Sequence, residues 1–131
     1  MIALDTNVLV RFLVHDDARQ ARKAKALVER LDEQEVQAFV PDIVMCELVW
    51  VLERCYRFER TRIAGVLKKL TGARQLVFDS TDNILRAIDA YEKGRGDFAD
   101  YLIREHARAA GCEAVVTFDK SLLRDAGFIS P

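Results

Sequence analysis

No CxxC pair occurs in this sequence. Its three cysteines, Cys46, Cys55 and Cys112, are widely spaced. An odd, scattered set excludes a disulfide framework and a cysteine-based zinc site, and it reads as buried, inert thiols in a reducing compartment. Two histidines, His15 and His106, are too few and too isolated for an imidazole metal centre. Long apolar runs are also missing. Val8 to Val14 is broken by Arg11 and is too short to span a bilayer. Asp5 follows Met1-Ile2-Ala3-Leu4 with no basic stretch before it, so no secretory leader and no membrane partner are expected, and the cytoplasm is the expected location. No segment repeats and none is of low complexity. An excess of one charge is absent as well: 20 Lys and Arg stand against 21 Asp and Glu, a net of −1. That excludes a uniformly basic coat for nucleic acid but leaves room for charges segregated within the surface.

What is present is an ordinary globular composition. Half of the 131 residues are apolar and 31% are charged. The length suits a single domain over residues 1–131. Short apolar runs, Ile2-Ala3-Leu4, Gln37 to Val40, Gln75 to Phe78 and Glu113 to Thr117, read as strands, with Phe128-Ile129 as an edge strand. Between them lie stretches with helical spacing: Val8–Val14, Ala18–Leu31, Asp42 to about Tyr56, Thr61–Leu70, Asn83–Lys93 and Asp97–Ala110. Asp119–Asp125 reads as a last short helix. Asp16 or Asp17, Asp42, and Asp79-Ser80-Thr81 are expected helix caps. Gly72 and Gly111 are expected stops, and Gly94-Arg95-Gly96 a flexible break. Strands separated by helices imply βαβ crossovers, hence an α/β class with a mostly parallel sheet buried on both faces.

In such a sheet, ligands bind beyond the carboxyl ends of the strands. Asp5 directly follows the first strand and Asp119 follows the fourth by two residues. Each alone could be no more than a helix cap. Glu47 interrupts an apolar helix pattern, although a lone helical Glu usually lies on the exposed stripe. Asp97 and Asp100 share a face at the start of a helix, where two acids also suit the helix dipole. Together these elements can converge on one end of the sheet. Carboxylates held close repel one another, and a hard divalent cation such as Mg²⁺ or Mn²⁺ resolves that repulsion. Metal-assisted phosphodiester hydrolysis is the chemistry that such a site supports best.

With those residues in view, the chain resembles PIN-domain ribonucleases, and in particular the VapC toxins of toxin–antitoxin pairs. The resemblance rests on Ile2-Ala3-Leu4-Asp5-Thr6-Asn7-Val8-Leu9, on Glu47 within Val44-Met45-Cys46-Glu47-Leu48, on Asp97-Phe98-Ala99-Asp100-Tyr101-Leu102-Ile103, and on Val116-Thr117-Phe118-Asp119-Lys120. It implies a PIN-like three-layer α/β/α sandwich with a short-stranded, mostly parallel sheet. It also implies that Asp5, Glu47, Asp100 and Asp119 are the catalytic, metal-binding acids, with Asp97 as an auxiliary acid and Thr6, Asn7 and Thr117 as donors that orient carboxylates or phosphate. Mg²⁺, with Mn²⁺ possible, would be the cofactor and RNA the substrate. The implied partners are a cognate antitoxin and a second copy in a homodimer. The helix from Ile43 to Leu52 is a candidate antitoxin surface, and Trp50 on it could equally be a core residue.

RNA must still be drawn to a chain of net charge −1. Arg54, Arg57, Arg60 and Arg62 cluster around one helix junction, and Arg19, Arg22, Lys23 and Lys25 form a second basic run. Either could hold phosphates, or be a solvated helix face. Three other readings remain. A receiver domain could use Asp79 and Lys120, but Asp16-Asp17 lies too far past the first strand to be its acidic pair. A haloacid-dehalogenase-like phosphatase would need Asp where Asn7 stands. A PIN fold could also bind partners without catalysing anything.

Overall fold

The computed structural model describes residues 1–131. In chain order the elements are β1 (Ile2–Ala3), α1 (Thr6–Leu13), α2 (Ala18–Glu33), β2 (Ala38–Val40), α3 (Asp42–Arg54), α4 (Arg60–Thr71), β3 (Leu76–Phe78), α5 (Thr81–Lys93), α6 (Phe98–Ala109), β4 (Val115–Val116) and β5 (Phe128–Ile129). All strand pairs are parallel, as crossover helices require. Six helices enclose short parallel strands in an α/β/α arrangement. The sheet is divided, however. β1-β2-β3 form one ladder, with Ile2 opposite Ala38 and Val40 opposite Phe78, while β4 pairs only with β5. β1 is therefore an edge, and both of its residues are exposed rather than buried on two faces as expected. Strands of two residues present few ladder donors and acceptors, so little binds β1 to β4 directly.

The core follows from helical spacing. On α3, Val44, Met45, Leu48, Val49 and Leu52 fall on one face and all are buried. Burying such a side chain fully contributes about 1.5–3 kcal/mol. Trp50 lies on the other face at 53% exposure, and Ile43 beside it is 67% exposed, so neither is core.

Capping chemistry sets the helix starts. Asp5 caps α1, Asp17 (not Asp16) caps α2 through the Gln20 N–H, and Ser80 caps α5 through the Asn83 N–H. Asp42 is not a cap. Pro41 precedes the helix, and the Asp42 N–H instead donates to Asp79 Oδ2 at 2.9 Å. The expected last helix shrinks to a 3₁₀ turn at Leu122–Arg124. The cysteines also depart from expectation: Cys55 and Cys112 are exposed, and only Cys46 is half-buried.

Gly94-Arg95-Gly96 is clamped rather than flexible. The Arg60 guanidinium donates to the carbonyls of Tyr91 (3.0 Å), Gly96 (2.7 Å) and Arg95 (3.0 Å), and it stacks 4.4 Å from the Tyr91 ring centre. Tyr101 Oη accepts from the Gly96 N–H and donates to Asp125 Oδ2. A Cβ on Gly94 would meet that Oη, and one on Gly96 would come within 2.5 Å of Leu122 Cδ2. Only glycine fits either position. This clamp fixes the turn that leads into α6 and hence into Asp97 and Asp100.

Candidate active site

The acids form two groups. The first is Asp5 with Glu47. The Asp5 side chain accepts the Thr6 N–H at 2.7 Å, so α1 starts at the end of β1 with its carboxylate at the helix mouth. Thr6 is buried, and its hydroxyl donates to Glu47 Oε2 at 2.7 Å. One residue thus holds both carboxylates, the first through its backbone and the second through its side chain. Glu47 itself is exposed, on the solvent side of α3. Asn7, also exposed, lines the same cleft of about 390 Å³, together with Arg11 and Tyr56.

The second group is Asp97, Asp100 and Asp119. Asp97 precedes α6, and its N–H donates to Asp100 Oδ2 at 3.2 Å. Asp100 is partly buried. Burial pushes its carboxyl above the usual carboxylate range, the Asp97 N–H opposes that, and the charges of Asp97 and Asp119 add to it. Asp119 is exposed in the loop after β4. The hydroxyl and N–H of Ser121 both donate to its Oδ1 and hold its pKa below the usual range. The Thr117 hydroxyl accepts from the Asp119 N–H at 3.0 Å and fixes the turn.

A groove of about 400 Å³ runs between α3 and α6. Cys46 lines one wall and Ala99 the other, the residues immediately before Glu47 and Asp100. Beside Asp42 and Glu47, burial raises the Cys46 thiol to about 11, so it is a protonated, unreactive wall. The two groups do not merge: no three carboxylate, imidazole or thiol groups stand together as one cation's ligands. By chemistry the donors fit a hard divalent ion. They are all oxygen, and Asp97 and Asp119 stand near enough to Asp100 to add to the rise that burial imposes on its carboxyl.

Of the four arginines expected as phosphate contacts, three are engaged with other groups. Arg60 is consumed by the clamp on the glycine turn, so it is structural and not a free phosphate ligand. Arg54 lies over the Trp50 ring at 5.1 Å and Arg62 over Phe58 at 3.7 Å. Arg57 is exposed in a left-handed backbone conformation, φ 55°. Of the second run only Lys23 faces a cleft, while Lys25 pairs with Glu29 at 3.9 Å. Sequence reasoning missed Arg11, whose guanidinium bonds Gln20, Asp16 and Tyr56 beside the first acid pair. Its signal was there to find: it lies four residues after Asn7, on the same helix face.

A parallel α/β core with carboxylates at a strand end, on two helices and in the loop after β4 defines a class, and the comparisons agree with it. The PIN domain model matches residues 2–128, and the chain belongs to the PIN-domain family. It is similar to a VapC ribonuclease of Aquifex aeolicus (strain VF5), 32% identical over 120 residues that cover 92% of this chain and 88% of that one. A second match, to a protein called elongation factor Ts in Gluconobacter oxydans (strain 621H), is 31% identical over 101 residues. It covers 77% of this chain but 29% of that protein, so that name carries no weight here.

Proposed function

We propose that this chain is a metal-dependent endoribonuclease, the toxin of a VapBC-type toxin–antitoxin pair, folded as one PIN domain over residues 1–131. The observation that carries this reading is the pairing of Asp5 and Glu47 through Thr6, within a chain similar over 92% of its length to a VapC ribonuclease. Asp5, Glu47, Asp100 and Asp119 would hold Mg²⁺ or Mn²⁺. A bound ion of this kind supplies Lewis-acid polarisation of the phosphate and a water acidic enough to yield hydroxide near neutral pH. The rest is done by the chain. Thr6 fixes the rotamer of Glu47, the Asp97 N–H holds Asp100, and Ser121 and Thr117 hold Asp119 ionised and aimed. Asn7 lies where it can orient a phosphate oxygen. A water oxygen would attack phosphorus in line, giving up a proton to solvent, while the bond to the leaving ribose oxygen breaks and that oxygen takes up a proton from solvent.

The exposed apolar face of α3, with Ile43 and Trp50, supports docking of a cognate antitoxin or of a second copy in a homodimer. No helix is long and apolar enough to cross a membrane, and action in the cytoplasm is part of this proposal. The receiver-domain reading is not favoured, since Asp79 is occupied as an acceptor for the Asp42 N–H and Glu47 would have no role. The test is cleavage of cellular RNA by the purified chain with and without Mg²⁺ or Mn²⁺, beside Asp5→Ala. Metal-dependent new RNA ends that vanish in the variant are expected. Equal cleavage by Asp5→Ala would sink the assignment.

A further inference from the structure

A cleft of about 500 Å³ between α1 and α2 has no part in the chemistry just described. Its walls carry three cations, Arg11, Lys23 and Arg30, and no carboxylate. In a chain of net charge −1, this is a local positive field beside an acidic one. Arg11 is held by Gln20 and Asp16, whereas Lys23 and Arg30 are exposed and take no part in the ion pairs of the fold. On α2, Gln20, Lys23, Leu27 and Arg30 follow helical spacing and line the cleft together. The cleft also adjoins the first acid pair: Asn7 and Arg11 line both this cleft and the one that holds Asp5 and Glu47.

We infer that this cleft is the track that holds single-stranded RNA next to the bond being cut. The inference rests on the ribonuclease reading above and extends it to a substrate subsite. Phosphates lie against Lys23 and Arg30, the two unpaired cations. The apolar floor of Val8, Ala24 and Leu27 takes the face of a ribose or base, and the amides of Asn7 and Gln20 meet polar edges. The volume is that of a small-ligand pocket, room enough for one nucleotide of a single strand. A basic groove that follows the backbone is how sequence-tolerant single-strand binding is built.

The test uses the whole chain and two readouts. A short fluorescent random-sequence oligoribonucleotide is titrated in EDTA over a range of salt, and bis(p-nitrophenyl) phosphate hydrolysis is followed with Mn²⁺. Lys23→Gln with Arg30→Gln should weaken RNA binding several-fold. It should also flatten the slope of log K against log salt by about 1.4, two phosphates at about 0.7 each for a single strand. Diester hydrolysis should stay at the wild-type rate. The charge-keeping pair Lys23→Arg with Arg30→Lys should restore binding. Unchanged affinity and slope in the Gln pair would overturn the track, as would equal loss in the charge-keeping pair. Variants that bind RNA normally but fail to bind a partner protein would also overturn it, since the cleft would then be a docking surface. Wild-type protein that hydrolyses the diester without binding RNA would overturn the track alone. Failure of both in the wild type would overturn the ribonuclease reading with it.

Discussion

The two carboxylate groups are built on opposite plans. Asp5 and Glu47 are open to solvent and are tied together by one buried threonine, whose N–H meets the first and whose hydroxyl meets the second. Asp100 is partly buried and crowded by like charge, behind a turn clamped by Arg60 and Tyr101. The first group is organised by hydrogen bonds at the surface, the second by packing underneath. The split between β1 and β4 runs between the two. The proposed function needs both, since one cation would be shared between them.

The largest effects should come from breaking either half. Asp5→Asn and Asp100→Asn should each lower cleavage by roughly 10²–10⁴-fold, the range for loss of a positioned charge or proton-transfer group. If the halves serve one ion, the double variant should be hardly worse than either single one, and kinetics on the three variants measures that. Independent halves would multiply instead. Next comes Thr6→Val, which removes the hydroxyl from Glu47 and keeps the shape of the side chain. Loss of a partner that orients a ligand costs roughly 10–100-fold in metal affinity, so the concentration of Mn²⁺ that gives half-maximal cleavage should rise by about that factor. Ser121→Ala should be milder, because Asp119 keeps the Ser121 N–H and its turn through Thr117.

The smallest effect concerns stability near the groove between α3 and α6. Asp42 Oδ1 is buried without a partner, while Oδ2 meets His106 Nε2 at 2.5 Å. Burial raises the Asp42 carboxyl, His106 opposes that, and Asp79 adds to the rise. The folded state therefore binds this proton more tightly than the unfolded chain. The stability it contributes is present at low pH and is lost as pH climbs from the ordinary carboxylate range through the raised value. Asp42→Asn should flatten that loss, read as the pH dependence of Tm against the wild type.

The fold was largely legible in the sequence, because it rests on period. The apolar spacing on α3 and the short β-rich runs located the helices and strands to within a few residues. What could not be read was long-range partner choice. Nothing local to Arg60 says that it reaches across to the carbonyls of residues 91, 95 and 96, so it looked like a free cation beside Arg57 and Arg62. The glycine turn looked flexible for the same reason, since the atoms that make glycine necessary come from Tyr101 and Leu122. The individual acids were visible through their positions after strands and at helix starts. Their division into two groups was not, because it depends on how β1 and β4 pair, and strands of two residues carry little register signal. The cationic stripe of α2 was half seen: Lys23 stood out in a basic run, but Arg30 joins it only through helical periodicity.

The most direct test of a shared site is calorimetric titration of Mn²⁺ into the wild type, Asp5→Asn and Asp100→Asn, each checked for folding by circular dichroism. Saturable binding in the wild type and its loss in both folded variants is the predicted result. Binding that survives intact in either variant would show that the two carboxylate groups do not hold one ion, and would contradict the account.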